Sequence, residues 1–244
     1  MKKFSNIVPI GFFCGVAQEL ERIGLRNCAY PIDWLITELE PLIDCISCNF
    51  MDFLNLKYLE KDLTEKEQKY TYVVQNTKYH IKFFHDFQKG ISIEDQLQDV
   101  TEKYDRRIQR FYKNISEQPT LFIRYIKNEA EWKYIEEHYQ EILNWLKSYH
   151  PNHEIIYIIN DDVCVTNAAL PITIFLVKKD KNDSVSRKCF LQNKRIVKYI
   201  YANVEFSLMK RLLQVVKYKK KVFSTKKTNF IDKIKKKIKK RTKK

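Results

Sequence analysis

The chain has 244 residues, 44% of them hydrophobic and 14% aromatic, enough for a substantial core, while four glycines and six prolines are too few for the many tight turns of an all-β sandwich. Six cysteines at irregular spacings, no leader-like apolar segment and no apolar run near the roughly 20 residues that span a bilayer predict free thiols in a reducing, cytoplasmic setting. The formal charge of +15 sits at one end. Residues 217–244 hold fourteen lysines and Arg241 against Asp232, which leaves residues 1–216 nearly neutral and excludes a basic binding surface argued from the whole chain.

Residues 5–13 read as a buried strand that turns at a glycine and delivers Cys14 to a helix over 15–23, with Val16, Leu20 and Ile23 on its apolar side and Gly24 as its stop. Tyr30-Pro31-Ile32-Asp33-Trp34-Leu35-Ile36 is held extended by its proline, and a short helix is predicted over 38–48. Residues 50–59 read as short helical turns. Two aromatic and β-branched runs, 70–74 and 79–84, flank Gln75-Asn76-Thr77-Lys78 and suit a hairpin, which ends in His85-Asp86-Phe87. A helix follows over 93–114, with Leu97, Val100, Tyr104, Ile108 and Phe111 on one face and Arg106, Arg107 and Arg110 nearby. Strands at 120–125, 154–160 and 172–177 alternate with helices at 129–148 and 204–216.

This alternation predicts an α/β fold, a mainly parallel sheet with helices on both faces, in one domain over 1–216, followed by a basic C-terminal helix or tail over 217–244. Ligands of such sheets bind beyond the carboxyl ends of the strands. That rule gathers Cys14, His85, Arg124, Asn160, Asp161 and Asp162.

A thiol at a helix N-terminus is expected to have a lowered pKa, which makes Cys14 the candidate nucleophile; the alternative is a small buried hydrophobe. A base must take the thiol proton, and a third group must orient the base. Of the five histidines, His85 alone ends an apolar run beside an acid, whereas His80, His138, His150 and His153 have ordinary polar explanations. Asp161 is preferred as the third group over Asp86, which diverges from its neighbour on a strand, and over Asp33; a cap or turn role serves either Asp161 or Asp33 equally well. Asp33, Trp34 and Arg124 are the candidate substrate contacts, Arg124 because a cation closing the apolar run Leu121-Phe122-Ile123 is costly to bury unpaired. Cys45-Ile46-Ser47-Cys48 has no second pair to complete a zinc site and reads as core packing, so neither metal nor cofactor is expected.

Taken together, Pro-Ile-Gly-Phe-Phe-Cys14, Gly24-Leu25-Arg26, Tyr30-Pro31-Ile32-Asp33-Trp34-Leu35 and Phe84-His85-Asp86-Phe87 with the arginine-bearing helix behind it resemble a largely uncharacterised family of papain-like cysteine peptidases, over about residues 6–130. The resemblance implies a thiol hydrolase with Cys14 as nucleophile and His85 as base. The chain lacks the Cys-Gly-Ser-Cys-Trp signature of well-studied papain-like enzymes, and no glutamine precedes Cys14. The expected activity is a cysteine-dependent hydrolase or acyl transferase acting on an acyl, peptide or glycan-derived substrate. The alternative is a non-catalytic, glycan-related binding module with a pocket at the strand ends. In the tail, Phe230, Ile231, Ile234 and Ile238 stand at helical spacing among lysines, which suits peripheral attachment to an anionic inner membrane surface, with disorder or nonspecific nucleic-acid binding as the other readings.

Overall fold

The computed structural model describes residues 3–165, 170–181 and 183–241, with side chains up to Ser224. The chain divides into two compact units, Met1–Glu19 with Asn27–Glu205, and Leu20–Arg26 with Phe206–Lys244. In chain order the elements are β1 (Asn6–Pro9), α1 (Gly15–Ile23), β2 (Leu35–Ile36), α2 (Leu39–Ser47), β3 (Leu59–Lys61), β4 (Thr71–Asn76), β5 (Ile81–Gln88) and α3 (Ile93–Glu117). They continue with β6 (Thr120–Tyr125), α4 (Glu129–Glu137), α5 (Tyr139–Tyr149), β7 (Glu154–Asn160), β8 (Thr173–Val177), α6 (Cys189–Gln192), α7 (Lys194–Asn203) and α8 (Leu208–Arg241).

The fold is α/β, built on two sheets. One is parallel, in the order β1-β6-β7-β8, and its first two strands are buried along their whole length, the near-continuous apolar pattern of a sheet covered on both faces. The other is antiparallel, in the order β2-β5-β4-β3. The expectation of a mainly parallel sheet is therefore corrected. The β4–β5 connection is too short for a crossover, so it makes a hairpin, and β2 and β3 add to its two edges. α3 starts at a Ser92 cap, whose hydroxyl accepts from Asp95 N at 3.1 Å, and buries Val100, Tyr104, Phe111 and Ile115. Tyr104 meets Phe53 and Phe83 edge-on, at ring separations of 5.1 and 5.7 Å, which joins α3 to the antiparallel sheet.

Two predicted helices are also redrawn. The 129–148 helix breaks at His138, which closes α4 and opens α5. The helix predicted from 204 begins instead at Leu208, because Val204 pairs as a parallel bridge with Phe4, and α7 precedes it. α8 belongs to the second unit and carries the backbone of the basic segment to Arg241; Phe230, Ile231, Ile234 and Ile238 have side chains outside the described residues. Among the described residues, no helix is long and apolar enough to cross a membrane.

Where β6 begins, His153 is buried, its Nδ1 accepting from Thr120 N at 3.1 Å and its ring edge-on to Phe122. Burial pushes this histidine down to about 4, against a smaller upward pull from the Ile115 backbone. In the unfolded chain the imidazole binds its proton at about pH 6.5, so between pH 6.5 and 4 the unfolded state takes up a proton that the folded state refuses. Stability falls as the pH is lowered through that window, by about 1 kcal/mol per pH unit from this group. Urea titrations at pH 7, 6 and 5 should show this slope in the wild-type chain and a shallower one in His153→Gln; parallel slopes would contradict it.

Candidate active site

Cys14 stands at the carboxyl end of the parallel sheet. Past Pro9 the chain stays paired with β6: Ile10 N donates to Ile123 O at 2.9 Å, Tyr125 N to Gly11 O at 3.0 Å and Phe12 N to Tyr125 O at 3.2 Å. At Gly11 the backbone takes φ +92°, a conformation that favours glycine. A Cβ there would lie 2.3 Å from Thr37 Oγ1 and 2.5 Å from Arg124 Nη1, so the missing side chain is also what lets the guanidinium in. Cys14 then occupies the position before α1, its carbonyl accepting from Gln18 N at 3.0 Å and its Sγ from Gln18 Nε2 at 3.3 Å.

The residues just before Cys14 pack into an aromatic cluster. Phe13 packs edge-on to Tyr125, with ring centroids 5.1 Å apart, and Phe12 tilts against Phe13 at 5.3 Å. A Cβ at Gly15 would lie 2.3 Å from the Phe13 ring, so this residue too has its side chain's place filled. Tyr125 donates its hydroxyl hydrogen to Asn160 Oδ1 at 2.5 Å and accepts from Ser186 N at 2.8 Å, while Asn160 Nδ2 donates to Ser184 O at 3.1 Å. The end of β7 and the segment after β8 are thereby fastened to the end of β6. Arg187, on that segment, lies close enough to favour the Cys14 thiolate and is itself held by Asp183 at 2.7 Å.

The expected lowering of the Cys14 pKa does not survive burial. Desolvation in this apolar setting pushes the thiol up, and the downward pulls of Arg187 and of its own backbone do not reverse it. His85 lies inside β5, on the antiparallel sheet, because that strand runs on to Gln88; its ring is exposed and edge-on to Trp34 at 6.0 Å. No hydrogen bond joins Cys14 to His85. Asp161 is exposed just past β7, its amide donating to Val177 O at 2.9 Å. Asp33 is buried and accepts from Tyr30 N at 3.0 Å, which closes the turn around Pro31. Asp86 pairs with Lys103 and accepts from the Tyr104 hydroxyl at 3.1 Å. Cys45 is buried in the core and Cys48 exposed; among the described residues, no group of three or more potential ligands could hold a metal ion.

Arg124 is wholly buried. Its Nε pairs with Glu131 Oε1 at 2.6 Å, Nη1 donates to Ile10 O at 2.7 Å and to Thr37 Oγ1 at 2.9 Å, and Nη2 donates to Thr37 O at 2.9 Å. Glu131 and Thr37 were not singled out by sequence. The Asn128-x-x-Glu131 spacing was the available signal, since Asn128 caps α4 through Glu131 N at 3.0 Å; the carboxylate, however, turns back to Lys127 N and to Arg124. Beside this pair a cavity of about 390 Å³ opens at the ends of β6 and of the Thr37 segment, lined by Glu38, His80, Lys127, Asn128, Glu131 and Tyr134. His80, read from sequence as an ordinary polar residue, belongs to it.

Alkylation of Cys14 against pH should give a midpoint above that of free cysteine, about 8.5, and Arg187→Gln should slow the reaction severalfold at pH 8. A midpoint below free cysteine, or indifference to Arg187, would contradict this electrostatic account.

The chain is 27% identical over 184 residues to an uncharacterised protein of Acanthamoeba polyphaga mimivirus, a match that covers 68% of this chain and 80% of the relative. No solved structure matches it. The model of a family described as "Putative papain-like cysteine peptidase" matches residues 5–182, and the chain belongs to that family.

Proposed function

We propose that this chain is a cysteine-dependent hydrolase or acyl transferase with Cys14 as its nucleophile. The observation that carries the reading is the position of Cys14, half-buried between the carboxyl end of β1 and the first turn of α1, in a chain of that family. Sγ attacks the acyl carbon of an ester, thioester or amide. The leaving group departs with a proton, and water or another acceptor then cleaves the thioester. Backbone N–H groups at Cys14 and Gly15 face the developing oxyanion in this reading.

A thiol that burial keeps protonated needs a base. His85 fills that role in the proposal, with Asp161 supporting the imidazolium, and Trp34 and Asp33 shape the substrate side. Their catalytic hydrogen bonds form in the substrate complex, since the free chain holds none between Cys14 and His85. Arg124 is a positioning residue here, acting through Ile10 and Thr37. Six free cysteines suit work in a reducing compartment such as the cytoplasm. A second reading, a non-catalytic module for a glycan-derived or other polar ligand, rests on the cavity beside Glu131 and its aromatic wall, Tyr134.

The test is acylation by p-nitrophenyl esters followed by peptide mass mapping. The proposal expects an acyl adduct on Cys14, none in Cys14→Ala, and acylation slowed by about a hundredfold in His85→Ala, the scale of general-base catalysis. Adducts spread evenly over the six cysteines, or none on Cys14, would overturn it in favour of the binding module.

A further inference from the structure

The second unit holds a surface that the proposed chemistry does not use. Along α8, Leu208, Met209, Leu212, Leu213, Val216 and Phe223 are each between 50% and 73% exposed. At 3.6 residues per turn these six fall within an arc of about 140°, with Phe223 near its middle, so they form one row and not a scatter. The opposite side of the helix is the docked one. Arg211 Nε donates to Ile23 O at 3.1 Å, Lys221 pairs with Glu21 at 3.0 Å, and the Arg211 carbonyl lies 2.6 Å from where a Gly24 Cβ would be. α8 thus meets the end of α1 through Arg211, Val215 and Lys221, and leaves the six apolar residues of the row exposed. A contiguous exposed apolar row of this kind marks an interaction surface.

The row is set in strong positive charge. Lys219 and Lys220 lie just inside its two edges, about 20° from each, Lys217 and Lys210 follow beyond one edge, and the segment from 217 carries fourteen lysines. The sequence repeats the same spacing onward at Phe230, Ile231, Ile234 and Ile238, whose side chains lie outside the described residues.

We propose that α8 lies in the plane of an anionic phospholipid surface, with Leu208, Met209, Leu212, Leu213, Val216 and Phe223 in the interface and the flanking lysines on the headgroups. An apolar row with lysines at its borders matches that boundary on both sides, acyl chains below and phosphates above, and long lysine stems reach from the first to the second. A second copy of the chain fits less well, because pairing two such helices brings like charges together along their length. A nucleic acid would neutralise the lysines and leave the apolar row in water. The inference is independent of the role of Cys14.

Co-sedimentation of the full chain with phosphatidylcholine vesicles, with and without phosphatidylglycerol, tests it, using wild type and Leu212→Ser/Leu213→Ser. The variant keeps the charge and changes only exposed positions, and its circular dichroism should match wild type. The proposal expects binding that requires phosphatidylglycerol, weakens with salt, and falls at least about tenfold in the double variant. Equal binding by the double variant would reduce the surface to charge adsorption and overturn the proposal. So would absence of vesicle binding, whether the chain instead bound a random single-stranded RNA or formed a dimer that the double variant abolished.

Discussion

A guanidinium with no exposure to solvent has to be paid for by its partners, and Arg124 has four contacts that do so from three separate parts of the chain. It joins the chain after β1 through Ile10, the segment between β2 and α2 through Thr37, and the first turn of α4 through Glu131. Breaking a buried pair of this kind by removing one partner costs about 3–5 kcal/mol, because the other charge is left uncompensated in a medium of low dielectric. The backbone that leads to Cys14 is shaped by satisfying that one cation. Gly11 has no side chain because the guanidinium and Thr37 Oγ1 occupy its place, and Phe12 accepts from Thr37 N at 2.9 Å as the chain passes on to Cys14.

The setting that fixes Cys14 also decides its chemistry. Burial desolvates the sulfur, and that effect outweighs the opposing pulls of Arg187 and the local backbone. A thiol whose pKa is raised in this way holds its proton more firmly than a free cysteine does. The cavity beside Glu131 belongs to the same framework, since its wall includes the carboxylate that neutralises Arg124.

Most of the element order was legible in the sequence, because strands such as 120–125 and 154–160 are apolar throughout and helices such as 93–114 carry a clear 3.6-residue period. What was lost had little local signal. β2 is two residues long and β3 three, below the length at which alternation can be read, so the second sheet was seen only as its central hairpin. The apolar run ends before His85, which points to a strand end there, whereas β5 continues to Gln88 by pairing Phe87 and Gln88 with Tyr72 and Thr71 of β4. At the candidate site, the position of Cys14 after β1 and the burial of a cation at Arg124 could be read from charge and position, but Arg124, expected as a substrate contact, is wholly buried and bonded within the chain; Thr37, Glu131 and His80 could not be read, since their roles arise from contacts between segments distant in sequence.

The dependence of the Cys14 turn on Arg124 is open to a direct measurement, amide hydrogen exchange across residues 10–15 in wild type, Arg124→Met and Thr37→Val. Thr37→Val removes one hydroxyl at nearly constant volume. The account predicts faster exchange at residues 10–15 in both variants, greater in Arg124→Met, with the amides of β7 little changed. Unaltered exchange at residues 10–15, with loosening confined to α4, would show that the turn carrying Cys14 holds itself and that the clamp does not shape the site.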